Sequence, residues 1–271
     1  MNIIHLTDLH FDPQTNLQNL MLIKEHEFFS EIDRDTTYLV ITGDVATKGQ
    51  DATFNFAKPF IKELFIDSNK IKRSNIILCP GNHDFVGRDL TSFNNFARSL
   101  RNDNIFSFGS DSVIITRVDD ICFCSLNSMY RYDRDMSSVD INELKLKLER
   151  NREAISSAKY RVVLLHHHIV GVEESDLTTV RNAFPLIQLL EKYDFNLLLH
   201  GHQHIQLNFF INKLQIMCGR SLLSQSNFLS NGFNKISYDN EQHVFVKTSY
   251  ELSADSDLVA QLSLRRVYES R

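Results

Sequence analysis

The stretch Gly81-Asn82-His83-Asp84 directly follows the apolar run Ile-Ile-Leu-Cys-Pro at residues 76–80. An apolar run of this length before a glycine predicts a buried strand that ends in a sharp turn, because glycine adopts backbone angles that other residues avoid. Such a turn would carry an amide, an imidazole and a carboxylate to the carboxyl edge of a sheet, where open α/β sheets bind their ligands. The alternative is a polar turn without further function, since Asn and Asp are common turn residues.

Strand and helix patterns alternate on both sides of this stretch. Buried strands are predicted at residues 2–7, 38–42, 75–79, 161–165 and 196–199. Helical spacing of apolar residues is found at residues 17–32, 54–65, 90–100, 141–155 and 180–187. The initial order of strand, helix, strand, helix and strand predicts an α/β protein with parallel strands and right-handed crossovers.

The last part of the chain has a different pattern. Short strands are predicted at residues 207–211, 214–218, 233–237 and 244–250. In the tail, residues 252–271, Leu258, Leu262 and Val267 have a spacing that predicts a helix docked on the domain. No linker, repeat or low-complexity segment interrupts the sequence, so residues 1–271 are predicted to form a single domain.

Composition and charge exclude several classes of protein. The 271 residues are 42% hydrophobic and 23% charged, and the formal net charge of −5 argues against nucleic acid as a partner. Every apolar run is shorter than the roughly 20 residues that a membrane helix needs, and the amino terminus shows no signal peptide. The four cysteines lie in apolar runs without a disulfide pattern, which predicts reduced thiols in a cytoplasmic protein.

Five of the predicted strands end in residues that can bind metal ions. These residues are Asp8 and His10, Asp44, Asn82 with His83, the histidines at 166–168, and His202 with His204. A single Asp or His after a strand is usually a turn or surface residue, but five successive strand ends predict a shared site. Carboxylate, imidazole and carboxamide ligands suit Mn, Fe or Zn. So many candidate ligands exceed one tetrahedral site and suit two transition-metal ions that share a bridging carboxylate.

Five blocks of the sequence resemble the calcineurin-like metallophosphoesterase superfamily. They are Asp8-Leu9-His10, Gly43-Asp44, Gly81-Asn82-His83-Asp84, His167 and Gly201-His202-Gln203-His204, and they occur in the order found in that family. The resemblance implies a four-layer αββα sandwich of two mixed β-sheets flanked by helices. It also implies an enzyme, a metal-dependent hydrolase of phosphoric esters with two bound metal ions.

The resemblance also implies a role for each ligand. Asp8, His10 and His204 would hold the first metal. Asn82, His167 and His202 would hold the second, and Asp44 would bridge the two. The histidine triplet leaves a choice: Ile169 stands where the family often has Pro, which favours His167, with His166 as the alternative.

With two metals bound, the resemblance also implies a reaction mechanism. A metal-bridging hydroxide would attack phosphorus, and the catalytic residue His83 would stabilise the transition state or protonate the leaving oxygen. Asp84 would either orient the His83 ring or cap the turn that follows the strand.

The compact branch similar to bacterial cyclic-nucleotide phosphodiesterases matches best, through Asp-Leu-His-Phe at residues 8–11 and Gly-Asp-Val-Ala at residues 43–46. Its members act on phosphodiesters and phosphomonoesters, so the implied partner is a phosphate ester, with a nucleotide among the candidates. The alternatives are a single-strand nuclease and a non-catalytic scaffold for other proteins. The sequence is compatible with a homo-oligomer. Candidate specificity elements are Arg220 and the loop Tyr130-Arg131-Tyr132-Asp133-Arg134.

Overall fold

Two six-stranded mixed sheets form the centre of the protein. A computed structural model describes residues 1–131, 136–171, 174, 176–223, 231–254 and 262–270. The strands of the first sheet, from one edge to the other, are β12 (Leu262–Ser270), β11 (Val244–Ala254), β10 (Asn231–Asp239), β1 (Asn2–Leu6), β2 (Thr37–Thr42) and β3 (Ile76–Cys79). The strands of the second sheet are β4 (Val113–Val118), β5 (Ile121–Leu126), β6 (Tyr160–Leu164), β7 (Leu197–His200), β9 (Leu214–Cys218) and β8 (Leu207–Ile211).

Each sheet combines parallel with antiparallel strands. Strands β1, β2 and β3 are parallel neighbours, and so are β5, β6, β7 and β9. The strands β10, β11 and β12 add to the first sheet in antiparallel order, and β4 and β8 do so in the second. The parallel arrangement that the alternating sequence predicts is therefore confirmed, and the carboxyl ends of β1, β2 and β3 point in one direction.

Helices cover the outer faces of the two sheets. They are α1 (Leu17–Met21), α2 (Glu27–Ser30), α3 (Asp51–Ile61), α4 (Thr91–Arg101), α5 (Ile141–Arg150), α6 (Arg152–Ser156) and α7 (Ala183–Lys192). Local sequence sets their ends. The carboxylate of Asp140 accepts hydrogen bonds from the first amides of α5, and Asn102 ends α4 in a left-handed conformation. None of the helices in the described part of the chain is long and apolar enough to cross a membrane.

Alternating side chains of the second sheet separate two cores. Phe123, Val162 and Leu164 belong to the core that reaches the first sheet and its helices. Cys122 and Val163, between them along the same strands, belong to the core formed with α5, α6 and α7. This alternation is what a sheet buried on both faces requires. The order of helices, sheet, sheet and helices confirms the sandwich that the family resemblance implies.

Two predicted helices differ from the structure. The spacing at residues 17–32 predicts one helix, but the segment forms α1, a 3-10 turn at Leu22–Glu25 and α2. His26 interrupts it with an extended backbone, and its ring accepts a hydrogen bond from the amide of Phe28. In the tail, the described residues 252–254 and 262–270 form strands rather than a docked helix: β11 extends to Ala254, and β12 pairs with it in antiparallel register. Leu258 lies outside the described residues. Pairing with β12 along residues 247–254 occupies backbone groups of β11 that would otherwise form an open edge, which outweighs a helical spacing of three apolar residues.

Lys247 is a buried lysine that joins the two sheets. It lies on β11, is 0% exposed, and donates a hydrogen bond from Nζ to the carbonyl oxygen of Leu207 on β8, 2.8 Å away. Burial disfavours the ammonium form and lowers the pKa of Lys247 to about 8.

This lowered pKa predicts how stability changes with pH. Between pH 8 and an unfolded value near 10.4, the unfolded lysine binds a proton that the folded lysine does not. Folding is therefore penalised at neutral pH, and the penalty disappears as the pH rises through this window. Relative to Lys247→Met, the free energy of unfolding of the wild type should rise by up to about 3 kcal/mol from pH 8 to 10.5. Urea titrations at each pH measure it, with the exposed Lys213→Met as a control that should follow the wild type. Parallel curves for wild type and Lys247→Met would contradict the prediction.

Candidate metal centre

The carboxyl ends of β1, β2, β3, β6 and β7 meet at one place. All seven predicted ligands lie there, together with a histidine that the sequence favours less, His166. The residues in this cluster are Asp8, His10, Asp44, Asn82, His166, His167, His202 and His204. Convergence of parallel strand ends therefore brings together residues that are up to 196 positions apart.

Asp8, His10 and His204 form the first group in the cluster. Nε2 of His204 lies 3.2 Å from Oδ1 of Asp8 and 3.4 Å from Nε2 of His10. Nε2 of His10 is also 3.9 Å from Oδ1 of Asp8. A carboxylate oxygen and two ring nitrogens thus face a common point.

The second group is centred on His166. Its Nε2 lies 3.1 Å from Oδ1 of Asn82, 3.2 Å from Oδ2 of Asp44 and 3.2 Å from Nδ1 of His202. The same nitrogen is 3.9 Å from Oδ1 of Asp8, which connects this group to the first. A single proton on His166 cannot satisfy so many acceptors, and a cation would. The donor set, carboxylate with imidazole and carboxamide, fits Mn, Fe or Zn.

His167 lies beside His166 and His202 at the edge of the second group. Its ring lies against His202, with the ring centroids 4.4 Å apart, and its Nδ1 lies 2.7 Å from Oγ of Ser128. Nε2 of His167 is buried without a hydrogen-bond partner among the described residues. Its ligand atom lies within 4.8 Å of those of His166 and His202, but Asn82 and Asp44 face His166.

Strong electrostatic coupling accompanies the close approach of buried charges. Burial would raise the pKa of Asp8, but the imidazoles of His166 and His204 outweigh it and lower that pKa. Burial would lower the pKa of His166, yet the carboxylates of Asp44 and Asp8 raise it to about 10. Burial and the neighbouring His166 lower the pKa of His202 to about 4. Without a metal ion, the two carboxylates therefore favour the imidazolium form of His166, and Asp8 likewise raises the pKa of His204.

Hydrogen bonds on the outer side of the cluster orient its members. Thr7 Oγ1 and the amide of His202 donate to Oδ2 of Asp8, so that Oδ1 points to the cluster. The amide of His83 donates to Oδ1 of Asp44 at 2.8 Å, and Oδ2 faces His166. Nδ1 of His166 donates to the carbonyl oxygen of Thr42 at 2.8 Å, which leaves Nε2 for a ligand.

The backbone at these strand ends is unusual. Asp8, His10, Asp44, His202 and His204 all have φ between 48° and 69°, the left-handed region that non-glycine residues rarely adopt. Glycines beside them allow the close approach. A Cβ at Gly201 would collide with Thr7 Oγ1 and Asp8 Oδ2, and one at Gly81 would collide with the Asp44 carboxylate. Such conformations are typical of functional sites that the surrounding structure holds in place.

The structure separates the roles of His83 and Asp84. Nδ1 of His83 lies 3.0 Å from the carbonyl oxygen of Thr47, and its ring is 5.2 Å from that of His10, beside the cluster. Asp84 does not orient this ring. Its carboxylate instead accepts hydrogen bonds from the amides of Gly81 and Val45, each at 2.9 Å, and so caps the turn. Burial and the nearby Asp44 raise the pKa of Asp84 to about 7.

The predicted specificity elements are only partly described. Nε of Arg131 donates to the hydroxyl of Tyr130 at 2.8 Å, while Tyr132 and Arg134 lie outside the described residues. Arg220 forms an ion pair with Glu251, with 3.6 Å between Nη1 and Oε2.

No sequence motif marks the hydroxyl groups that orient the cluster. Thr7 and Thr178 contact Asp8 and His202 directly, yet a threonine after a strand or in a loop carries no distinctive pattern. In the sequence, Thr7 is distinguished only by its position directly before Asp8-Leu9-His10.

Sequence comparison identifies the family. A model of the family described as calcineurin-like phosphoesterase matches residues 1–206, which include every residue of the cluster. The chain belongs to this family. No curated protein sequence matches the chain significantly.

Several solved structures share the fold of this chain at low sequence identity. A dimetal phosphatase from Danio rerio has a TM-score of 0.58 and 10% identity, over 93% of this chain and 95% of the other. The protein TT1561 of Thermus thermophilus has a TM-score of 0.56 and 8% identity, over 91% and 97%. GAP50 of Plasmodium, described as the anchor in the inner membrane complex, has a TM-score of 0.51 and 14% identity, over 100% and 89%. At these identities the similarity establishes the fold alone.

Proposed function

We propose that this protein is a phosphoesterase that depends on two transition-metal ions. The observation that carries the proposal is the pair of ligand groups described above. They are joined through Asp8, Asp44 and His166, and the ligand atoms of these three residues lie within 4.8 Å of one another. Buried carboxylates this close to one another favour bound cations, because a buried charge is costly unless an opposite charge compensates it.

The contacts suggest which residues would hold each ion. Asp8, His10 and His204 would bind the first, and Asn82, His166 and His202 the second. Asp44, grouped with both Asp8 and His166, would serve both. We assign the second position to His166 rather than His167, because Asn82 and Asp44 lie against His166.

Bound ions of this kind polarise phosphoryl oxygens and lower the pKa of bound water. The chain itself would contribute His83. Donation from Nδ1 to the Thr47 carbonyl holds the ring and leaves Nε2 as the nitrogen able to reach a substrate. From there it would donate a proton to the leaving oxygen or stabilise charge on the phosphoryl group.

We propose phosphodiesters, cyclic nucleotides among them, as the first substrates to test. The support is the similarity of residues 8–11 and 43–46 to the cyclic-nucleotide phosphodiesterase branch. The experiment is a panel containing a nitrophenyl monoester, a bis-nitrophenyl diester, cyclic nucleotides and short oligonucleotides. Each is assayed with metal-free protein and with protein reconstituted with Mn²⁺. Metal-dependent hydrolysis of a diester is expected, and hydrolysis of oligonucleotides alone would favour a nuclease. Two bound metals per chain without any hydrolysis would favour a scaffold.

His83→Ala tests the proposed proton donor. General acid catalysis is typically worth about 10²–10⁴-fold, so kcat should fall by roughly that factor on an ester with a poor leaving group. The decrease should be smaller on a nitrophenyl ester, whose leaving oxygen hardly needs a proton. Metal content, measured by elemental analysis, should stay at the wild-type value. Equal decreases on both esters would indicate electrostatic stabilisation instead of proton donation.

His166→Ala and His167→Ala test the assignment of the second metal position. Both histidines are fully buried, so the two variants are matched in size and burial. His166→Ala should bind about one metal ion fewer per chain, because only His166 lies against both Asn82 and Asp44. His167→Ala should retain the wild-type content. The opposite result, with metal lost from His167→Ala alone, would restore the register expected from the sequence.

A further inference from the structure

A short segment after the histidine triplet lies behind His202, on the side opposite the candidate metal centre. We propose that Thr178 and Asp176 are positioning residues, which fix the tautomer and ring orientation of His202 so that its Nδ1 faces the second metal position. This inference rests on the proposed function in that it takes His202 as a metal ligand. Nothing in the resemblance or the family match assigns a role to either residue.

The direction of two hydrogen bonds determines the tautomer. Oγ1 of Thr178 donates to Oδ1 of Asp176 at 2.6 Å, and a carboxylate can only accept. The hydroxyl has one proton, so towards Nε2 of His202, 2.9 Å away, it can only accept. Nε2 of His202 therefore carries the ring proton, and Nδ1 carries the lone pair. That lone pair lies 3.2 Å from Nε2 of His166, at the second group of ligands.

Asp176 connects this relay to the segments that follow β6 and β7. Its Oδ2 lies 2.5 Å from Nε2 of His168 and 3.4 Å from Nε2 of Gln203. The backbone adds to the attachment, because the amide of Val180 donates to the carbonyl oxygen of His168 at 2.9 Å. One carboxylate, 15% exposed, thus holds the segment against the ends of both β6 and β7.

His202 differs from His166 and His83 in how its ring is held. His166 and His83 each direct Nδ1 to a backbone carbonyl oxygen, that of Thr42 and that of Thr47. A backbone carbonyl survives any substitution at its own position. The ring of His202 depends on a side-chain hydroxyl, so removal of that hydroxyl is a direct test. Without it, the ring can take the other tautomer and present an N–H to the metal position.

The test compares four variants as metal-free protein titrated with Co²⁺ in competition with a chelator. Outer hydrogen-bond partners of metal-ligating histidines are typically worth about 10- to 100-fold in metal affinity. In Thr178→Val, one Co²⁺ ion should bind with wild-type affinity and the other about 10- to 100-fold more weakly. Thr178→Ser, which keeps the hydroxyl, should restore wild-type binding. Thr178→Ala removes the hydroxyl without the branched side chain and should reproduce the loss, which guards against misfolding of Thr178→Val.

Thr179→Val is the matched control. Thr179 is the next residue, and its Oγ1 lies 3.0 Å from Nε2 of His168 but has no hydrogen bond to His202. Since Asp176 also contacts that nitrogen of His168, this variant should bind both ions as the wild type does. Equal losses in Thr179→Val and Thr178→Val would overturn the inference, because they would show a general effect of altering the segment.

Nitrogen NMR of metal-free, ¹⁵N-histidine-labelled protein provides a second readout. His202 should show a protonated Nε2 in the wild type and in Thr178→Ser, and a changed tautomer population in Thr178→Val. An unchanged His202 signal together with unchanged Co²⁺ affinity in Thr178→Val would overturn the inference. Failure of the proposed function is separate: a wild type that binds two ions and hydrolyses no ester would refute the activity and leave the role of Thr178 intact.

Discussion

Two carboxylates that are buried side by side set the main constraint on this protein. Asp8 is 0% exposed and Asp44 is 2% exposed, and both approach the same ring nitrogen of His166. Like charges in a poorly solvated place repel unless cations compensate them. The raised pKa of His166 shows that the chain can supply one such cation itself. Two divalent ions would supply a larger and better distributed positive charge.

Holding the carboxylates in this place requires backbone conformations that would not form in isolation. Five non-glycine residues of the cluster adopt left-handed φ values, each of which is unfavourable by about 1–3 kcal/mol when unsupported. The support comes from the strands immediately before them. Residues of β1, β2 and β7 are almost entirely buried, and the two cores on either face of the second sheet fix where each strand ends. The rigid sandwich therefore serves to place strained turns within a few ångströms of one another.

The sequence predicted the parts of this arrangement that follow from periodicity. Apolar runs located the parallel strands, and the polar residues after them located the cluster, because strand ends in a parallel sheet share an edge. The register of the histidine triplet was harder. Alternation applies within β6, which ends at Leu164, whereas His166 is placed by the carbonyl oxygen of Thr42 on the other sheet. The helix predicted in the tail was wrong for a related reason. Pairing with β11 is a tertiary interaction, and the local spacing of apolar residues does not indicate it.

The hydrogen-bond partners of the ligand residues were the least predictable part of the site, for a chemical reason. His166 and His83 donate to the backbone carbonyl oxygens of Thr42 and Thr47. Every residue type has such a carbonyl group, so the sequence cannot indicate these acceptors. The hydroxyl of Thr178 does depend on the residue type. Its partner Asp176, however, contacts Thr178 and not the ring of His202, so its role is one step further from the ligand. Sequence motifs therefore indicate the side chains that face a bound metal and the glycines that allow those side chains to come close together. The atoms that decide which ring nitrogen is free become visible only when the strand ends are brought together.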